Sequence, residues 1–220
     1  MKLELAMNLL IFACSLAGTV YSLFNFFGKK KALYLKISAC GVMAIMFSRL
    51  YQVVYLATLG SLNRGFHIGM LGIMASFMFF FCANFGQIDG LVDDKTSAFR
   101  KTRIISFLSP LVIFIIYLFF ILNVESAEAK IAWGAVAFFI MQCAYYSFKH
   151  VIIHDVDLGF VKCIKKYNVT VLVYAVMSML EPIGLYLDIK PLYAACCCVT
   201  ALAALIMLPV LKRGVDKWTI

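Results

Sequence analysis

Charge is what this sequence has least of. Of its 220 residues 14% are Asp, Glu, Lys or Arg, while 64% are hydrophobic and the mean hydropathy is +0.96. Soluble domains carry about 25% charged residues and about 45–50% apolar ones. A soluble chain this short could not cover so much apolar surface, so the excess must face lipid. The length allows one integral-membrane domain over residues 1–220 and no separate soluble module. Acidic residues are scarcer than basic ones, 11 against 20, for a net charge of +9. That excess does not indicate nucleic acid. The basic residues sit in short clusters beside apolar segments, where they set topology and attract anionic headgroups, so the expected partner is the bilayer.

Metal-binding and catalytic spacings are also missing. The eight cysteines form no C-x-x-C pair. Cys14, Cys40, Cys82, Cys143 and the run Cys196-Cys197-Cys198 lie in apolar segments, and only Cys163 lies in a polar stretch. Adjacent cysteines point to different faces of a helix, so three in a row cannot jointly hold one ion. No paired acids, Ser/His arrangement or zinc cluster falls at membrane depth, which argues against an enzyme, including one that modifies lipids. No cofactor is expected. The first apolar segment lacks a basic leader and an A-x-A cleavage site, and Phe12 ahead of Cys14 fits a lipoprotein site poorly, so it reads as a retained helix.

What is present is length in apolar runs. A helix needs about 20 apolar residues to cross the bilayer core. Segments at roughly 4–27, 32–58, 66–85, 104–123, 131–148, 168–187 and 191–211 qualify, giving an all-α bundle of seven transmembrane helices. Lys29-Lys30-Lys31, then Lys95 with Arg100, Lys101 and Arg103, then Lys149 with Lys162, Lys165 and Lys166 fill the first, third and fifth breaks; Lys212, Arg213 and Lys217 fill the tail. The other breaks hold Arg64, Lys130 and Lys190, offset by Glu125, Glu128 and Asp188. The positive-inside rule places the N-terminus outside and the C-terminus in the cytoplasm, in a multi-pass protein of the plasma (inner) membrane.

The seven segments can be grouped as three, a connector and three, with parallel triplets. Tyr21-Ser22 recurs as Tyr146-Ser147, and Ala44, Met46 and Tyr55-Leu56 match Ala175, Met177 and Tyr186-Leu187 at one offset. This layout is similar to that of sugar-efflux and PQ-loop proteins. Their paired Pro-Gln motifs are absent, since Gln52 follows Tyr51 and Pro182 follows Glu181, so the similarity is architectural and carries no residues over.

Two charges stand inside the membrane, Arg49 in the second segment and Glu181 in the sixth. Each costs about 2.5–3.5 kcal/mol on insertion scales, so such residues face a cavity or a partner. Both lie roughly 5–6 Å beyond the middle of their segments, toward the outer face. Equal depth and opposite sign suit a direct or ligand-bridged pair. Gln52 lies three residues from Arg49, with Ser48, Tyr51 and Tyr55 beside them. Tyr174, Ser178 and Glu181 share a face at i, i+4, i+7 spacing, and Pro182 frees the Ser178 carbonyl. Asn8, Ser15, Thr19 and Ser22 add one polar stripe, and Tyr193, Cys197 and Thr200 another. Arg49, Gln52, Tyr55, Tyr174, Ser178 and Glu181 are therefore the candidate ligand site, in a polar cavity opening outward. The competing reading is a buried ion pair that only fixes packing.

A second candidate is His150 and His154 with Asp155, Asp157, Asp89, Asp93 and Asp94. Residues 151–153 are Val-Ile-Ile, so this is no H-E-x-x-H, and an interfacial segment with solvated polar residues is the expected form. The Met70, Met74 and Met78 stripe reads as packing or lipid-facing surface, and Asn168-Val169-Thr170 is a sequon on the wrong side of the membrane.

The function expected from these features is binding, and transport, of a small polar solute. A sensor or receptor subunit is the alternative. With about nine residues after position 211 it would need a separate signalling partner; a second copy of the chain is the other protein partner to be considered.

Overall fold

A computed structural model describes residues 2–28, 31–62, 64–86, 97–153 and 160–218. The described residues are helical and contain no strand. In chain order the helices are α1 (Lys2–Phe26), α2 (Leu33–Leu59), α3 (Ile68–Asn84), α4 (Arg100–Ser106), α5 (Leu108–Asn123), α6 (Ala127–Ile152), α7 (Phe160–Tyr186) and α8 (Lys190–Trp218). Six spans are long and apolar enough to cross a membrane, counting α4 and α5 together as Arg100–Asn123, and α3 is a shorter apolar helix of 17 residues. The chain is thus an integral-membrane type of helical bundle.

Each apolar segment corresponds to one helix or, in the fourth, to a broken pair. The break falls at Phe107 because Pro110 has no N–H to give the Ser106 carbonyl and its ring crowds that position. The Ser109 hydroxyl replaces the lost donor, reaching Ser106 O at 3.1 Å and Ala144 O on α6 at 3.0 Å. Helices α6, α7 and α8 run well past their apolar stretches, because a helix ends where the backbone is capped or turned and not where hydropathy falls. Ser126 caps α6 by accepting from the Ala129 N–H. Gly60 ends α2 at φ 80°, donating its N–H to Leu56 O, a conformation that glycine adopts without strain.

Packing joins α1–α2–α3–α6–α7–α8 and returns to α1, a closed ring of six helices. Helix α5 stands outside it against α6 and α7. Only Ile113 and Phe120 of α5 are buried, Ile116 and Tyr117 are half-buried against the core, and much of its remaining apolar surface faces outward, as a lipid-facing helix requires.

At one end of the ring α7 turns tightly into α8. Asp188 takes the left-handed region at φ 52°, and the Ile189 N–H donates to Gly184 O at 2.8 Å. Gly184 is required here by a close approach. A Cβ at that position would lie 2.6 Å from the Tyr193 backbone nitrogen, which cannot move without the whole of α8. The glycine lets α8 press against α7 and carries Tyr193 over the ring interior.

Candidate functional site

Arg49 on α2 and Glu181 on α7 meet inside the ring. Arg49 Nη1 donates to Glu181 Oε1 and Nη2 to Oε2, each at 2.6 Å, a bidentate pair. Arg49 is 2% exposed and Glu181 6%. Asn8 Oδ1 on α1 at 2.9 Å and Gln52 Oε1 at 3.1 Å also accept from Nη1, whose two hydrogens are shared among the three oxygens. One guanidinium therefore joins α1, α2 and α7. It also orients both amides, because only their oxygens can face a group that has no acceptor. Arg49 Nε has no hydrogen-bond partner.

A cavity of about 50 Å³ lies against this cluster, lined by Asn8, Gln52, Glu181, His67, Trp133 and Tyr193 among others. That is room for a few waters or a solute of a few heavy atoms. Arg49 does not line it; its acceptors do. The walls come from the start of α1, the end of α2, the α2–α3 loop, the starts of α3, α6 and α8 and the end of α7, so the cavity lies at the end of the bundle where the chain begins. The Tyr186 hydroxyl donates to the backbone oxygen of Arg64, whose guanidinium lies 5.6 Å over the Tyr186 ring, and together they pin the α2–α3 loop to α7. His67, in that loop, stacks on Tyr51.

Comparisons with family models, curated proteins and solved structures return no match.

Of the six residues singled out in the sequence, Arg49, Gln52 and Glu181 come together. Tyr55 is half-buried one turn further along α2, against Tyr51, and does not line the cavity. Tyr174 turns to α3, its hydroxyl 3.3 Å from Ser76 Oγ and its ring stacked on Phe77 at 4.9 Å. Ser178 is buried between these levels and does not line the cavity either. His67, Trp133, Tyr186 and Arg64 carry no sequence signal for the site, because loop and helix-end residues reach it only through the fold.

A second polar cluster lies toward the other end of the ring. The Asn84 side chain accepts from Tyr34 OH at 3.1 Å and donates to Ser147 Oγ at 3.1 Å and Asn168 Oδ1 at 2.9 Å, joining α3 to α2, α6 and α7. Tyr167 OH donates to Ser38 Oγ at 3.1 Å nearby. Sequence reasoning missed this cluster, although an asparagine closing the aromatic run of α3 is a signal that could have been followed.

His150 is buried, whereas His154, Asp155, Asp157, Asp89, Asp93 and Asp94 lie outside the described residues. Among the described residues no group of three or more His, Cys, Asp or Glu side chains could hold a metal ion. The three adjacent cysteines diverge, with Cys196 and Cys197 buried and Cys198 exposed.

Proposed function

We propose that this protein binds, and carries across the membrane, a small polar solute through the cavity beside Arg49 and Glu181. The observation that carries the reading is that Glu181, paired with Arg49 inside an apolar bundle, also lines a cavity. Burying an ion pair is costly and apolar residues of the same volume pack as well, so keeping these charges beside a cavity fits a role in binding. Asn8, Gln52 and Tyr193 add hydrogen-bonding groups beside the carboxylate.

The decisive substitution is Glu181→Gln, which keeps shape and an acceptor oxygen while removing the charge. Purified protein screened against radiolabelled small polar solutes should bind at least one. Glu181→Gln should remain folded yet lose at least tenfold in that binding and in uptake by liposomes. Wild-type binding by a folded Glu181→Gln protein would overturn the reading.

The orientation belongs to the same proposal. Arg64, Lys130 and Lys190 lie with Glu4, Glu125, Glu128 and Asp188 at the cavity's end in the alternating order of the helices, and Arg100, Lys101, Arg103, Lys162, Lys165, Lys166, Lys212 and Arg213 at the other. The positive-inside rule then puts the cavity outside and the C-terminus in the cytoplasm. In a cysteine-free background, cysteines at Ser61 and Glu125 should react with an impermeant maleimide from outside, and cysteines at Ser97 and Lys162 only after permeabilisation. Labelling of Ser97 and Glu125 positions from one side would rule out the alternation. The grouping into three, a connector and three is supported by the position of α5 outside the ring and by the pair itself, drawn from the middle helix of each triplet.

A further inference from the structure

The cavity at Glu181 does not stand alone. A second cavity, of about 90 Å³, shares Glu4, Arg64, Leu185 and Tyr193 with it and adds Asp188 and Lys190. The two form a vestibule and a chamber with Tyr193 at their junction, where its hydroxyl lies 3.4 Å from Asn8 Nδ2. The charges along this route are balanced at each level. The vestibule carries Glu4 and Asp188 against Arg64 and Lys190. The chamber carries Glu181 against Arg49 behind it.

We propose that the solute is a small zwitterion, an ammonium and an anionic group on one molecule, of the size of the smallest α-amino acids. The inference rests on the solute-binding reading above. A cleft that gathers ions of one sign is lined by charges of the other sign, and this one is lined by both. A neutral amide would draw little from four full charges at the vestibule, whereas a zwitterion meets an opposite charge at each end.

The chamber offers the matching groups without opening the ion pair. Each Glu181 oxygen accepts one bond from Arg49 and keeps a further lone pair for an ammonium. Trp133 also lines the chamber beside the carboxylate. Gln52 spends its oxygen on Arg49, so its NH₂ is the group left to donate to an anionic end. Asn8 differs, since its NH₂ already serves Glu4 O at 2.9 Å and Tyr193 OH. Glu181 thus selects the ammonium and Gln52 the anion. An ammonium paired with an anionic oxygen occurs both in free amino acids and in zwitterionic lipid headgroups, and the test must separate these sources.

The test is binding of labelled glycine, acetate, methylammonium, acetamide and phosphoethanolamine to the purified full chain by scintillation proximity. Glycine should bind at least tenfold more tightly than acetate, methylammonium or acetamide. Glu181→Gln and Gln52→Leu should each weaken glycine binding at least tenfold. Gln52→Leu leaves the ion pair in place, so it reports on the site even where Glu181→Gln is poorly folded. Binding of phosphoethanolamine in place of glycine, with the same sensitivity to both substitutions, supports the zwitterion and assigns it to a headgroup. Acetate, methylammonium or acetamide binding as tightly as glycine, and lost in Glu181→Gln, overturns the zwitterion while leaving a solute site. Absence of binding by all five probes overturns the zwitterion. The solute site itself falls only if the wider solute screen also finds nothing, or finds binding that Glu181→Gln does not reduce.

Discussion

Glu181→Ala should lower unfolding stability in detergent by about 3–5 kcal/mol, the usual cost of stranding one member of a buried pair. The guanidinium left behind keeps Asn8 and Gln52 as acceptors but loses both 2.6 Å bonds and its counter-charge. Arg49→Ala should cost somewhat less. A stranded carboxyl can be neutralised by a proton, whereas a guanidinium cannot be deprotonated in a protein. Arg49→Ala also releases the oxygens of Asn8 and Gln52, which offsets part of that difference. The double variant should cost less than the two single losses added together, with a coupling of about 0.5–3 kcal/mol for groups in direct contact. Chemical denaturation or thermal melting of the four proteins measures this cycle. Additive losses would mean that the pair does not act as a unit. The cycle tests the geometry and is silent on the ligand, which is why the Glu181→Gln binding measurement is needed beside it.

Asn84→Ala should be the most damaging single change away from the ion pair. One side chain holds Tyr34, Ser147 and Asn168 on three neighbouring helices. Side-chain hydrogen bonds between membrane helices average about 0.6 kcal/mol, so three lost together correspond to about 2 kcal/mol. The loss should exceed that of Ser147→Ala, which removes one of the three contacts and should cost under about 1 kcal/mol. Because the cluster lies toward the opposite end of the ring from the cavity, solute binding should survive Asn84→Ala in protein that remains folded. An equal effect of the two substitutions would show that Asn84 is not the hub.

The seven apolar segments could be read from composition because water and hydrocarbon differ so strongly as solvents. A run of about 20 residues without charge has few soluble fates, and basic residues mark one end of each hairpin. The Arg49 and Glu181 pairing was legible for a related reason. Charges at membrane depth are so expensive that two of opposite sign at one level have little alternative to each other. Gln52 followed from its spacing on the same face as Arg49.

Position around the ring was not legible. In a soluble helix the apolar face marks the core, but here lipid and bundle interior are both apolar, so hydropathy does not distinguish inward from outward. Tyr55 and Gln52 therefore looked equivalent from the sequence, and only the rotation of α2 puts Gln52 on the cavity and Tyr55 against Tyr51. Tyr174 and Ser178 share a face with Glu181, yet packing against α3 turns Tyr174 to Ser76 and Phe77. The order of helices in the ring, the exclusion of α5 from it and the meeting of Asn84 with Asn168 depend on contacts between segments far apart in the chain. The sequence by itself determined that this is a helical membrane protein and which charges must find one another. The tertiary structure decided which polar groups face the shared interior, because that choice rests on shape and hydrogen bonding between helices that are equally apolar.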